Sequence, residues 1–252
     1  MDILKNTAGN VLSYNGLPLG TTWGAAPAAF VEATGGTITY DGDYKIHTFT
    51  TTGDLEVTVG GEVNVLVVAG GAGGSPGVGG SYYGSAGGGG FVIEDAAYSV
   101  GVETITATVG AGGAPETAGG DSSFGSIDCS RGLPCIGNTQ LGGDSKLYSG
   151  ALGDNAVCLH QGGGGAGAGG DAGIAGGKSK NNDGGDGIKS SITGSEVGYG
   201  GGGASPSTGC GQGDAVDGGG SGAAAAPANR GGGGHTSGYG GSGVVIIRYK
   251  YQ

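Results

Sequence analysis

Runs of glycine bounded on both sides by apolar strand sequence constrain this chain more than any other feature. Of 69 glycines in 252 residues, 59 fall between Gly70 and Gly243. They cluster as Gly87 to Gly90, Gly162 to Gly165, Gly200 to Gly203 and Gly231 to Gly234. Val63 to Ala69 (VNVLVVA) leads into this zone and Val244 to Tyr251 (VVIIRYKY) leads out of it. A third of the zone has no side chain, yet apolar strand sequence brackets it on both sides.

Glycine-rich composition without a period normally signals disorder, because glycine loses the most backbone entropy on ordering. Three features oppose that here. Charged residues are only 12 % of the chain, below the level of disordered segments. Apolar islands such as Phe91-Val92-Ile93, Ile105, Phe124, Ile127, Leu147-Tyr148, Val157, Ile188 and Val197 interrupt the runs. The closing strand contains no glycine. Collagen needs glycine at every third position and abundant proline; this chain has 7 prolines and irregular spacing. The net charge of −11 argues against a nucleic-acid partner, which needs a basic face. No apolar run approaches the roughly 20 residues of a membrane span. Met1 to Asn6 does not begin a secretory signal, so synthesis in a cytoplasm without a cleaved leader is the expectation.

Residues 1–36 read as a separate extended arm. Asn10 to Gly16 read as a short strand entering a turn at Asn15-Gly16. Leu12, Tyr14, Leu17 and Trp23 are its candidate attachment side chains; the alternative is that Trp23 and Phe30 cover the edge of the next domain. From Thr37 the period becomes two. Thr37 to Tyr40, Tyr44 to Thr50, and Leu55, Val57 and Val59 alternate as half-buried strands do. Val63 to Ala69 and Val244 to Ile247 are continuous apolar runs, expected as central strands. No segment sustains a 3.6-residue period, so the chain is expected to be all-β. Strands over 37–69, 91–110 and 244–251 form one sheet system in a domain spanning 37–252. The glycine tract, mainly 70–90 and 111–243, is a long insertion between them.

The insertion must satisfy its own backbone N–H and C=O groups. Glycine segments achieve this as three-residue-per-turn helices of the polyproline-II type, whose polar groups point outward to neighbouring helices. Only glycine permits that approach, and weak Cα–H···O contacts add to it. The expected product is a lattice that is rigid without a core.

The ordered set His47-Thr48-Phe49-Thr50, Val63 to Gly71, Gly87 to Phe91, Val109 to Gly113, Gly120 to Gly125 and Gly243 to Tyr249 resembles the glycine-rich domain of bacteriophage tail-fibre and other virion proteins. It is also similar in architecture to phage tail-tip adhesins and to the glycine-rich domain of a receptor kinase. The resemblance implies a jelly-roll or tumour-necrosis-factor-like β-sandwich carrying inserted polyglycine helices. It implies a virion location, other tail or head proteins as partners, and a host cell-surface glycan or protein as the ligand. Trimers are common among such fibres and sandwiches, so a homotrimer is the oligomer it implies. The alternative function is a capsid decoration or head fibre without a receptor.

Side-chain recognition must then fall to the breaks between glycine runs. Tyr82, Tyr83, Glu196, Tyr199, Asn229, Arg230, His235 and Tyr239 are the candidate receptor-binding residues, since aromatic rings offer rigid contact area. The competing reading is that these tyrosines pack over lattice edges. Ala172 to Ser179 fits the loose phosphate-loop pattern but lacks a strand before it and a helix after it. Gly165, Gly167 and Gly170 match dinucleotide spacing by chance. Asp183 and Asp186 make a weak calcium candidate within Asn181 to Asp186, a polar hairpin being the alternative. Otherwise no metal and no cofactor is expected. His47, His160 and His235 are dispersed, and no catalytic constellation is legible, so no enzyme is expected. Cys129, Cys135, Cys158 and Cys210 match no zinc spacing. Free buried thiols come first and a Cys129–Cys135 disulfide second.

Overall fold

The computed structural model describes residues 3–5, 11–14, 17–18, 30–77, 84–135, 142–151, 163–172, 182–206, 212–222 and 224–252. The chain divides into two compact units, residues 1–30 and 31–252. In the first, β1 (Ile3–Lys5), β2 (Val11–Tyr14) and β3 (Leu17–Pro18) form an antiparallel three-stranded sheet. Leu12, Tyr14 and Leu17 lie on these strands; Trp23 lies outside the described residues.

The second unit is a sandwich of two five-stranded antiparallel sheets. Its strands are β4 (Glu32–Thr34), β5 (Thr37–Asp41), β6 (Tyr44–Phe49), β7 (Gly53–Val59), β8 (Gly61–Val68), β9 (Val92–Val100), β10 (Thr104–Thr108), β11 (Ser122–Phe124), β12 (Ile127–Cys129) and, after the hairpin β13 (Ile188–Ser190) and β14 (Val197–Tyr199), the closing β15 (Val244–Lys250). One sheet has the order β12-β11-β10-β7-β4, the other β5-β6-β15-β8-β9. Among the described residues there is no α-helix, as the missing 3.6-residue period implies. The expectation of an all-β sandwich holds, with two antiparallel sheets packed across one core.

Alternation in the sequence becomes burial. Leu55 and Val57 face the core while Glu56 and Thr58 face solvent. Leu55, Val57, Ile105, Phe124 and Cys129 from one sheet pack against Phe49, Val63, Val65, Val67, Val245 and Ile247 from the other. Val65 to Val68 are fully buried because both faces of β8 are covered. A second cluster lies on the outer face, where Ile192, Tyr199 and Ala168 cover Ile46, Leu66, Val68, Val244 and Ile246. The unit starts at Val31 rather than Thr37 because β4 pairs with β7. Its three residues place only Ala33 inward, too short a pattern for period two to register.

The glycine insertion is a hydrogen-bonded lattice, and the targets of successive N–H groups display its period. Ala69, Ala72 and Ser75 donate to the carbonyls of Phe91, Gly88 and Ser85. Gly70 and Gly73 donate to Gly120 and Thr117; Gly71 and Gly74 donate to Gly241 and Gly238. Every third residue therefore returns to the same neighbour, the signature of a three-residue-per-turn helix. The segment from Ala86 repeats it: Ala86 and Gly89 bond Gly163 and Ala166, Gly87 and Gly90 bond Gly234 and Gly231, and Gly88 and Phe91 bond Leu133 and Ser130. Neighbours run both parallel and antiparallel. Packing is close enough that a methyl at Gly71 would collide with the carbonyl of Gly232, and one at Gly202 with that of Gly165.

Candidate functional site

Strands run directly into the lattice, so the lattice has one end at the sandwich and one remote from it. Ala69 and Phe91 pair at the sheet; Ser75 and Ser85 pair six residues further on. At about 3.1 Å per residue that is roughly 19 Å away. The remote end is closed by hydroxyls and an amide. Ser205 Oγ donates to Gly163 O at 2.8 Å, Thr236 Oγ1 to Gly84 O at 2.8 Å, and Asn182 Nδ2 to Ser205 O at 2.9 Å. Ser75, Ser85, Ser205 and Asn182 are all buried. Where the lattice runs out of neighbours, these side chains take over the last backbone groups, as buried polar groups require.

Two turns project from this end. Gly238 N donates to His235 O at 2.7 Å, and Thr117 N to Ala114 O at 2.9 Å. They are adjacent: Ser237 N bonds Ser75 O and Glu116 N bonds Gly74 O. Glu116 and Ser237 hold φ of 62° and 59°, a left-handed conformation that non-glycine residues seldom adopt and that clusters at functional sites. Tyr239 follows the turn and is 58 % exposed. His235 is half-buried, and its Nδ1 is enclosed without a hydrogen-bond partner among the described residues. Gly77, Gly84, Cys135, Gly163, Asn182 and Pro206, which flank segments outside the description, lie at or next to this end of the helices.

The eight candidate receptor residues therefore do not form one site. His235 and Tyr239 belong to the remote end. Tyr82 and Tyr83 lie outside the described residues. Asn229 and Arg230 sit at the sandwich end, where Arg230 O accepts from Gly200 N and Arg230 Nη1 donates to Gly198 O at 3.3 Å. Tyr199 is buried in the outer cluster, packed on the sheet face rather than over a lattice edge. Burial raises its phenol pKa. Glu196 is exposed and pairs with Lys189 across β13–β14 at 3.3 Å. What sequence reasoning missed is the serine closure. A signal was present: Ser75-Pro76 and Ser205-Pro206 each end a glycine run, and proline has no donor to continue the ladder.

The remaining candidates lie in the lattice or the sandwich, or outside the described residues. Asp183 Oδ1 accepts from Asp214 N at 2.8 Å, and Asp186 O accepts from Gly169 N. Among the described residues no three His, Cys, Asp or Glu side chains gather as a metal site. Gly165 and Gly167 donate within the lattice, to Gly203 and Gly170. Of Ala172 to Ser179, only Ala172 is described, as are neither His160, Cys158 nor Cys210. Cys129 and Cys135 are free and buried, so the second reading, a disulfide between them, is corrected. Cys129 Sγ donates to Phe91 O at 2.9 Å, and burial pushes its thiol up to about 12. His47 is fully buried, with Nδ1 2.7 Å from Gly35 O and Nε2 2.8 Å from Tyr249 Oη. The carbonyl can only accept, so Nδ1 carries the proton and the tyrosine donates to Nε2.

A comparison with curated proteins returns no match. A family model described as a glycine-rich domain matches residues 47–250, from His47 through the lattice to the end of β15. With that match spanning both the sandwich and its insertion, the chain belongs to the glycine-rich domain family.

Proposed function

We propose that this protein is a non-enzymatic bacteriophage virion component, of the tail-fibre or tail-tip kind, that contacts a host-surface glycan or protein through the remote end of its glycine lattice. The observation that carries this reading is the juxtaposition of the two turns, Ala114 to Thr117 and His235 to Gly238, on a rigid end roughly 19 Å from the sheets. A lattice without side chains cannot itself discriminate ligands, whereas turns held by it present Glu116, Thr236, Ser237 and Tyr239 at low entropic cost. The likeness to virion glycine-rich domains supplies the biological setting.

The test adds purified protein to cells of the bacterial host before infection. Binding to the cell surface and reduced phage adsorption are expected. A Tyr239→Ala, Glu116→Ala double variant is expected to fold normally and to bind at least tenfold more weakly, since exposed aromatic anchors dominate such contacts. Absence of surface binding, or location of the protein on the capsid in electron micrographs of virions, rejects the reading in favour of a decoration protein.

A further inference from the structure

β5 is an edge strand with an unusual lack of protection. Natural edges are blunted by shortness, charge, proline or bulges. The other described edges of the sandwich follow that rule. β4 and β12 have three residues each, and β4 carries a register shift. β9 pairs through a bulge and bears Glu94 and Asp95. β5 reads Thr-Ile-Thr-Tyr-Asp, pairs with β6 in unbroken register, and is exposed at its first four positions. Ile38 is 38 % and Tyr40 61 % exposed. The only charge, Asp41, is already paired with Arg248 at 2.8 Å.

The hairpin geometry shows which backbone groups are free. Asp41 pairs with Tyr44 across a two-residue loop whose first residue, Gly42, has φ 55°, as a type II′ turn requires. Asp41 and Tyr44 are then a hydrogen-bonded pair, and alternation makes Thr39 and Thr37 bond β6 as well. The N–H and C=O groups of Ile38 and Tyr40 point away from the sheet.

We propose that β5 is a homodimer edge, with Thr37–Asp41 of two copies pairing antiparallel about a two-fold axis through Thr39. In that register Ile38 faces Tyr40 of the second copy, and those are the residues with outward hydrogen-bonding groups. The axis therefore yields two complete hydrogen-bonded pairs. Each joins a β-branched to an aromatic side chain, a favourable cross-strand combination. Thr39 faces itself, threonine opposite threonine, and no like charges oppose. The ring of Tyr251, 5.1 Å from Tyr40, widens the apolar strip. The strip is small, which places the dimer among weak, concentration-dependent associations. Its symmetry is two-fold, in contrast to the trimer implied by resemblance.

Sedimentation of the full chain over a wide concentration range tests it. A monomer–dimer equilibrium is expected, and Thr39→Lys, which sets two ammonium groups face to face, is expected to weaken it roughly tenfold or more. Cross-linking fixes the register. In a chain also carrying Cys158→Ser and Cys210→Ser, Thr39→Cys is expected to form a covalent dimer on mild oxidation, because facing non-hydrogen-bonded residues lie about 4.5 Å apart at Cα, within disulfide reach. Ile38→Cys, which faces Tyr40 instead, is expected to cross-link much more slowly. A chain that stays monomeric, a trimer, a dimer indifferent to Thr39→Lys, or equal cross-linking at 38 and 39 overturns the proposal.

Discussion

At the scale of single residues, the lattice makes glycines unequal. A side chain at Gly202 would occupy the space of the Gly165 carbonyl, whereas a methyl at Gly170 meets nothing nearer than Asp186 N at 3.9 Å. Gly202→Val is therefore expected to cost roughly 1–3 kcal/mol by overpacking and to lower Tm by several degrees in a thermal scan. Gly170→Ala is expected to stay within about 0.5 kcal/mol. Equal effects at the two positions would contradict the packed-lattice account. His47 makes the other residue-scale prediction. Burial, opposed by the Gly35 hydrogen bond and aided by Lys45, lowers its pKa below the usual 6.5. The unfolded chain then binds the proton more readily than the folded one, so stability rises with pH through this window. The contribution is complete above about 6.5 and is lost as pH falls below it. Urea midpoints measured between pH 7.5 and 5.5 should decline, and His47→Gln should flatten that decline while lowering stability throughout.

At the scale of elements, the β13–β14 hairpin acts as a cover for the outer sheet face. Ile192 is buried against that face, and Arg248 pins the turn, donating to Ile192 O at 3.1 Å while stacking 4.2 Å over Tyr44. Ile192→Ala is expected to cost about 2–5 kcal/mol, read from denaturant unfolding. Near-normal stability would mean the hairpin is not a structural cover. This hairpin also marks the limit of sequence reading at the element level. Val65 to Val68 and Val244 to Ile247 announce strands covered on both faces. Nothing in their spacing says that the second cover comes from a hairpin at 188–199, remote along the chain from both runs. Tyr199 was legible as an aromatic at a glycine-run boundary, but surface and core aromatics look alike until a partner face is known. β12 offers a chemical readout of burial in the core between the two sheets. With its thiol pushed to about 12, Cys129 should resist alkylation at pH 8 in the native protein and react only on unfolding.

At the scale of the molecule, sandwich and lattice share their strands and helices without a break. Val68 passes into Ala69 and Gly70, Phe91 passes into β9, and Gly243 passes into β15, each bonded to lattice or sheet on either side. Residues 31–252 are expected to unfold in one calorimetric transition, and Gly202→Val should shift that whole transition. A separate early transition for the lattice would show that the two parts are independent. Composition and local period by themselves determined that this unit is all-β, which runs are central strands, and that the glycine tract packs through backbone rather than side chains. These follow from properties of single residues: alternation, β-branching and the missing Cβ. Which turns share the remote end, which candidates are buried, and which strand edge remains open were decided only by the tertiary structure. The physical reason is that glycine runs are interchangeable in sequence. Any run can bond any other, and only the complete set of hydrogen-bond partners determines which neighbours meet.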